Sequence, residues 1–191
     1  MAYAVDMHVH SKYSGDNNSK PEDIIKMAIN YGIHSICFTE HNLYSLSSFV
    51  EDLREKYKGQ INLIRGVEFS CAEGHCLVFG CNTDAVMIGA SAKTLINYVD
   101  SCGGIAIPSH PYRGDCVSMG DLIRFLPIQI IEGMNGKNLS SMNEMALNTA
   151  RECNLGWTGG SDCHNPFDVG KCVTAFPVPV TQENIVALLR A

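Results

Sequence analysis

Short apolar runs with β-strand character alternate along the chain with stretches whose apolar residues recur at helical spacing. One such stretch is marked by Leu46, Phe49, Val50, Leu53 and Tyr57, at positions i, i+3, i+4, i+7 and i+11. Strands separated by helices indicate an α/β fold in which the strands run parallel. The predicted strands cover residues 3–8, 33–39, 61–67, 76–81, 104–108, 127–131 and 155–159.

Further helices are predicted from terminal residues and from apolar spacing. One begins near Pro21, since proline is favourable in a first helical turn, and ends before Gly32. Apolar residues at helical spacing place the others around residues 95–99, 142–153 and 185–189.

A histidine or an acidic residue follows most of the predicted strands. Residues i and i+2 of an extended strand face the same side, so His8 and His10 can converge on one metal ion. Asp162 and His164 can do the same from the other end of the chain. Imidazole and carboxylate together suit zinc, manganese or iron rather than calcium or magnesium. The sequence therefore predicts a metal site built from these polar residues.

The candidate residues share one position in the predicted fold, because each lies at or just past the C-terminal end of a strand. They are His8 and His10, Glu40 and His41, Glu68, His110, and Asp162 and His164. Active sites of α/β barrels gather at that face, since every loop from a strand to the next helix leaves from it. An open doubly wound sheet would instead concentrate its site at one switch point. Ligands from at least five strands favour a closed or nearly closed barrel, and the chain length favours about seven strands.

Composition and charge further limit the number of domains, the partners and the location to be expected. At 191 residues, 46% of them hydrophobic, the chain is predicted to form a single domain over 1–191. The net charge of −6 is spread along the sequence, which argues against nucleic-acid and membrane surfaces but allows a phosphorylated substrate. The nine cysteines form no C-x-x-C pair, and no signal peptide or transmembrane-length apolar run is apparent. We therefore expect a cytoplasmic location and leave the oligomeric state open.

Six polar motifs are ordered along the chain. They read D-M-H-V-H-S-K-Y-S-G-D from residue 6, T-E-H from 39, G-V-E-F-S from 66, H-C-L-V-F-G from 75, S-H-P from 109 and G-G-S-D-C-H-N-P-F-D-V-G-K from 159. In identity and order these motifs resemble those of the PHP (polymerase and histidinol phosphatase) domain family, and they span residues 6 to 171.

The resemblance implies a distorted (β/α)7 TIM-like barrel that holds a trinuclear centre of divalent transition metals. It implies that the first metal is bound by His8, His10, Glu68 and Asp162. Glu68 would bridge to a second metal, also bound by His75 and His110. The third metal would be bound by Asp16, His41 and His164.

Two positions depart from the family pattern. The family's usual T-D-H is T-E-H here, so Glu40 is one methylene longer than the acid it replaces. The family often has S-D-G where this chain has Ser14-Gly15-Asp16, which displaces the acid by one position. Asp16 is therefore the least secure ligand, and a site with two metals is the alternative.

Phosphate-ester hydrolysis is the activity that these features favour. Bridged metals lower the pKa of bound water and clamp charge on the attacking and leaving oxygens. We expect metal-bound hydroxide to attack the phosphorus of a small phosphomonoester or phosphodiester. Asp162 and His164 are candidates for catalytic roles. So are Arg113, which can grip phosphate, and Glu40, which can orient a ligand or a water.

Two other functions remain open. A metal-dependent C–N hydrolase of the amidohydrolase type uses a similar barrel, but it usually adds a bridging lysine at a strand end, where this chain has Glu68. A non-catalytic metal-binding regulatory domain would be expected to have lost ligands. Outside the ligand set, Glu132 and Asn135 follow the sixth strand and are candidates for lining the pocket, whereas His34 is expected to be structural.

Overall fold

A curled six-stranded sheet and a separate two-stranded sheet form the framework of the protein. The structure, a computed structural model, describes residues 2–191, so Met1 of the predicted domain lies outside it. The strands are β1 (Tyr3–Val9), β2 (Ser35–Phe38), β3 (Asn62–Cys71), β4 (Gly74–Phe79), β5 (Ile105–Pro108), β6 (Ile130–Asn135), β7 (Gly156–Gly160) and β8 (Thr174–Phe176). The α-helices are α1 (Pro21–Asn30), α2 (Phe49–Lys56), α3 (Ala92–Ser101), α4 (Ser140–Glu152) and α5 (Ile185–Arg190).

The strands of the large sheet are ordered β5-β4-β3-β2-β1-β8, and β6 pairs with β7. The pairs β1–β2, β2–β3 and β6–β7 are parallel, as predicted. The prediction of parallel strands throughout is wrong for β4, which runs antiparallel to both β3 and β5. Only residues 72–73 separate β3 from β4, and a parallel crossover needs a dozen residues or more, so the two strands form a hairpin.

The first and seventh strands meet at their C-terminal ends. The backbone N–H of His10 donates to the carbonyl of Cys163 at 3.1 Å, and that of Asp162 donates to the carbonyl of His8 at 2.7 Å. In residues 2–191, β5 and β6 belong to different sheets, so the hydrogen-bonded framework is a curled half-barrel. The predicted count of seven βα units is not confirmed, because β4 follows β3 without a helix and an unpredicted strand, β8, pairs antiparallel with β1.

The hydrophobic core divides according to the face of each strand. On β2, Ile36 and Phe38 pack in a cluster with Ile24 and Ile25 of α1. Cys37, between them, belongs to a second cluster that contains side chains of β1, β3, β4, β5 and α5. Successive strand residues thus face opposite sides, as the pleat requires. A third cluster joins α3 and α4 to β3 and β4.

The helix ends follow the predicted residue types. Pro21 is the first residue of α1, and Gly32, just past its end, has a φ of +73°, a left-handed conformation that glycine adopts without steric cost. Among the described residues, none of the helices has the length and apolar character needed to cross a bilayer.

Candidate metal centre

The side chains predicted as metal ligands converge near the C-terminal ends of β1, β2, β5 and β7 and on the adjoining β3–β4 hairpin. Three overlapping groups have potential ligand atoms within 4.8 Å of one another: His8, His10 and Asp162; His8, Glu68 and His110; and His10, His41 and His164. The remaining two predicted ligands, His75 and Asp16, contact members of these groups. All nine therefore lie in one cluster.

Glu68 is at the centre of this cluster, and its two carboxylate oxygens face different histidines. Oε2 lies 3.3, 3.2 and 3.3 Å from nitrogens of His8, His10 and His41. Oε1 lies 3.2 and 2.8 Å from nitrogens of His75 and His110. This carboxylate is positioned between two sets of imidazoles, as a group that bridges two cations would be.

The outer nitrogens of His8 and His10 are fixed by hydrogen bonds. Nδ1 of His8 lies 2.9 Å from Oε1 of Glu132, and because a carboxylate can only accept, this nitrogen donates. Nδ1 of His10 lies 2.9 Å from the hydroxyl of Ser14, which itself donates to the carboxylate of Glu40. Ser14 therefore accepts from His10. Both imidazoles turn Nε2 toward the cluster.

The two Nε2 atoms lie 3.0 Å from each other, within a group of electron-pair donors. Oδ1 of Asp162 lies 3.7 Å from His8 Nε2 and 3.5 Å from His10 Nε2, and Oε2 of Glu68 is within 3.3 Å of both. Facing lone pairs repel, so these atoms require a cation between them, either a proton on one of the imidazoles or a bound metal ion. This donor set of nitrogen and carboxylate oxygen fits zinc, manganese or iron.

Burial and the charges of neighbouring groups shift the pKa values of the side chains in this cluster. Burial lowers the pKa of His8, but the carboxylates of Asp162, Glu132 and Glu68 together raise it well above its ordinary value. Burial raises the pKa of Glu68, but the charge of His8 and hydrogen bonds from His110 and His41 hold it well below its usual range. Burial lowers the pKa of His10 to about 4, so its imidazole is neutral at pH 7. The cluster thus combines ionised carboxylates with an imidazole in its ligating form.

The displaced acid, Asp16, does reach the cluster. Its Oδ2 lies 3.1 Å from Nε2 of His41 and 2.7 Å from Nε2 of His164. Gly15 permits this approach, because its φ of +83° turns the chain after the 3-10 turn that ends at Ser14. The order Ser-Gly-Asp therefore still delivers a carboxylate between two histidines.

Arg113 is held against one of the predicted ligands. Its Nη2 lies 2.7 Å from Oδ2 of Asp162 and 2.6 Å from the side-chain oxygen of Asn135, and its Nε donates to Asn138. Arg113 also lines a cleft of about 200 Å³ that opens onto the cluster. It is thus placed both to fix Asp162 and to meet an anion in the cleft.

Lys137 adds a second cation to the wall of the same cleft. Its Nζ lies 2.7 Å from Nδ1 of His164, and its backbone N–H donates to Asn135. The sequence carried no signal for Lys137, because a lysine in a loop after a strand is ordinarily solvated. Its proximity to His164 depends on how two distant loops meet.

Two of the predicted ligands have left-handed backbone conformations. His110 has a φ of +30° and Asp162 a φ of +54°, and such residues cost of order 1–3 kcal/mol each unless the surroundings hold them. The N–H of His110 donates to Glu132 at 2.8 Å, and that of Asp162 donates to the carbonyl of His8 at 2.7 Å. These bonds hold the two turns that aim both side chains into the cluster.

Glu40 and Glu132 lie outside the predicted ligand set but hydrogen-bond to its histidines or to the partners of those histidines. Glu40 accepts from the backbone N–H of Ser11 at 3.1 Å and from the hydroxyl of Ser14. Glu132 was predicted as a candidate for lining the pocket, but its side chain is fully buried against His8 and does not line the cleft. An acid directly after the apolar run of β6 repeats the pattern that identified the ligands. His34 lies apart, with Nδ1 accepting from the backbone N–H of Ala4.

Comparison with known proteins assigns the chain to a family. The PHP domain matches residues 6–113, and a PHP-associated region matches residues 141–191. An uncharacterized protein of Methanocaldococcus jannaschii is 30% identical over 154 residues, which are 75% of this chain and 88% of that protein. A probable histidinol-phosphatase of Thermotoga maritima is 32% identical over 89 residues, 44% of this chain and 38% of that protein.

Solved structures share the fold at lower identity. A protein of Bifidobacterium adolescentis, provisionally named a metal-dependent phosphoesterase, superposes with a TM-score of 0.70 at 14% identity, over 97% of this chain and 95% of the other. An amidohydrolase of Chromobacterium violaceum superposes with a TM-score of 0.71 at 17% identity, over 96% and 95% of the two chains. Together with the ordered motifs and the histidine–carboxylate cluster, the sequence matches establish that this chain belongs to the PHP domain family.

Proposed function

We propose that this protein is a hydrolase that uses a trinuclear metal centre to cleave a phosphate ester. The observation that carries the proposal is the placement of Glu68, whose two oxygens face separate sets of histidines. A buried carboxylate in that position supports at least two cations side by side. Membership of the PHP family, with its phosphoesterases, supports phosphate-ester hydrolysis as the reaction.

The proposed ligands fall into three sets that share members. The first metal would be held by His8, His10, Glu68 and Asp162, the second by Glu68, His75 and His110, and the third by Asp16, His41 and His164. Zinc, manganese and iron all suit these ligands, and the ion found will depend on supply as well as on affinity. When bound, such ions acidify water and stabilise negative charge on phosphoryl oxygens.

The other residues of the site position the ligands and meet the substrate. Glu40 acts through Ser14 to keep Nε2 of His10 directed inward. Arg113 keeps Asp162 in place through the contact at 2.7 Å. With Lys137 it also places two positive charges on the cleft wall, where the phosphoryl oxygens of a substrate would lie.

A small phosphorylated molecule is the proposed substrate class. The cleft of about 200 Å³ suits the phosphoryl end of a substrate, with the remainder resting on the surrounding loops. The amidohydrolase alternative has less support, because the central bridging position is occupied by Glu68, and Lys137 contacts His164 from the cleft wall instead.

The test combines metal analysis with hydrolysis assays. Protein purified without chelator is expected to contain two to three transition-metal ions per chain. Reconstituted with manganese or zinc, it should hydrolyse an aryl phosphate monoester or diester. Glu68→Ala and His110→Ala should reduce the rate to background, because each loses a group that the centre needs.

His34→Ala is the matched histidine control and should retain wild-type activity, since His34 contacts the backbone of Ala4 away from the centre. Only trace metal in the wild-type protein would contradict the proposal. Unchanged turnover in both Glu68→Ala and His110→Ala would assign the activity to another site. Turnover of amide but not phosphate substrates would favour the C–N hydrolase.

A further inference from the structure

Glu132 is a fully buried carboxylate beside the proposed metal centre but outside its ligand set. Its side chain is 0% exposed, and it follows Ile130 and Ile131 on β6. A charge buried this completely requires several partners, because an unpaired carboxylate in the interior is strongly unfavourable. The partners of Glu132 all belong to, or contact, the residues proposed to bind metal.

One oxygen of Glu132 determines which nitrogen of the His8 imidazole carries hydrogen. Oε1 lies 2.9 Å from Nδ1 of His8, and the His8 side chain is 0% exposed, so solvent cannot replace this contact. Since the carboxylate has no hydrogen to donate, it holds His8 in the form that carries hydrogen on Nδ1. Nε2 of a neutral His8 then has a free lone pair on the side of Glu68.

The other oxygen holds two further parts of the centre. Oε2 accepts the backbone N–H of His110 at 2.8 Å, at the residue whose φ is +30°. It also accepts from Nδ2 of Asn135 at 3.0 Å, and the same amide nitrogen lies 3.2 Å from Oδ2 of Asp162. One carboxylate therefore connects the strand ends that carry His8, His110 and Asp162.

We propose that Glu132 is a positioning residue of the metal centre, which sets the tautomer of His8 and fixes the turn that presents His110. The inference rests on the proposed metal ligands but assigns a residue that they do not include. Groups that hydrogen-bond the outer nitrogen of a metal-binding histidine usually contribute 10- to 100-fold to metal affinity. An effect of that size is expected here.

Glu132→Gln gives the sharpest test, because it preserves shape while exchanging one oxygen for an amide nitrogen. The amide oxygen is needed at the Oε2 position, where two N–H groups converge from His110 and Asn135. The amide NH2 must then face Nδ1 of His8 and force that nitrogen to accept. His8 would carry its hydrogen on Nε2, where it blocks metal binding.

The experiment measures zinc binding by competition with a chromogenic chelator at 25 °C. Wild-type protein, Glu132→Gln, Glu132→Asp and the surface control Glu152→Gln are compared. We expect Glu132→Gln to bind at least one zinc ion about 10- to 100-fold more weakly and Glu132→Asp, which remains a pure acceptor, to recover part of the loss. Glu152, which pairs with Arg124 at the surface, should be replaceable without effect.

A second readout separates positioning from general stability. Nitrogen-15 NMR of the histidine rings in metal-free protein, recorded at a pH high enough for His8 to be neutral, should show its hydrogen on Nδ1 in the wild type and on Nε2 in Glu132→Gln. Thermal unfolding of the metal-free variants confirms that each is folded at the titration temperature. A folded Glu132→Gln protein with wild-type zinc affinity would overturn the inference, whereas failure of the wild type to bind zinc would overturn the proposed function instead.

Discussion

Gly160, the last residue of β7, tests how closely the first and seventh strands pack beneath the metal centre. A Cβ added at this position would overlap the Cβ of His8, lie 2.8 Å from the His8 backbone nitrogen and lie 3.1 Å from Oε1 of Glu132. The two nearest atoms are a Cβ and a backbone nitrogen, which cannot rotate away, and Oε1 of Glu132 is held by its hydrogen bond to His8. Gly160→Ala must therefore push β7 away from β1.

The expected loss of stability in Gly160→Ala follows from the atoms that the added methyl group must displace. Overpacking a tight interior typically costs 1–3 kcal/mol, and with a backbone atom and a Cβ as the obstacles we expect about 3 kcal/mol. For a protein of this size, a loss of 1 kcal/mol lowers the melting temperature by roughly 2–4 °C, so the expected decrease is roughly 6–12 °C. Zinc affinity should also fall, because the displaced strand leads directly into Asp162 and contacts the side chains of His8 and Glu132.

The assay is thermal unfolding of metal-free protein, followed by circular dichroism, with Gly114→Ala as the matched control. A Cβ at Gly114 would meet only the methyl group of Met142, at 3.6 Å, an ordinary contact. The control should melt at the wild-type temperature or slightly above it, since alanine reduces the entropy of the unfolded chain. If Gly160→Ala melts within about 2 °C of the control, β1 and β7 are not packed as described.

Two further predictions concern residues that support the ligands. Ser14→Ala removes the hydroxyl between His10 and Glu40, and chelator competition should show metal binding weakened about tenfold, the value of one or two hydrogen bonds. Unchanged affinity would mean that Glu40 does not act through Ser14. For Arg113, substitution by lysine should lower kcat/KM by about ten- to a hundredfold, because lysine cannot reproduce the planar fork of the guanidinium. Wild-type kinetics in Arg113→Ala would contradict any role of Arg113 in phosphate binding. If the only effect of Arg113→Ala is a lower metal content, Arg113 acts only by holding Asp162.

The individual strands and helices were largely predictable from the sequence. The predicted strands are all present with their ends shifted by up to four residues, and the helix between Pro21 and Gly32 begins and ends where these residues indicate. Strand-end polar residues also identified the cluster, since the loops after parallel strands lie at one end of a sheet. These inferences succeeded because they depend on periodicity and on residues a few positions apart.

The features that were predicted wrongly or missed depend on contacts between segments far apart in the sequence. β8 is only three residues long and is defined by its pairing with β1, so its own composition carries little signal. The direction of β4 was missed although the short connection after β3 excluded a crossover. The role of Glu132 arises from contacts with His8 and His110, which are 124 and 22 residues away in the sequence.

The same long-range assembly links metal binding to folding. His8 is on the first strand, His10 directly follows it, and Asp162 follows the seventh strand. Backbone hydrogen bonds between residues 8–10 and 162–163 join the two strand ends. The full set of proposed ligands therefore comes together only after both ends of the chain have folded. A metal that binds this set but not the unfolded chain stabilises the native state, by about 2.7 kcal/mol at a hundredfold excess over its dissociation constant. Two buried carboxylates also hold this junction: Glu132 contacts Nδ1 of His8, and Asp6 of β1 accepts the backbone N–H groups of Ser161 and Gly170, each at 2.8 Å. These contacts align β1 with β7 without metal, which reduces the reorganisation that metal binding must drive.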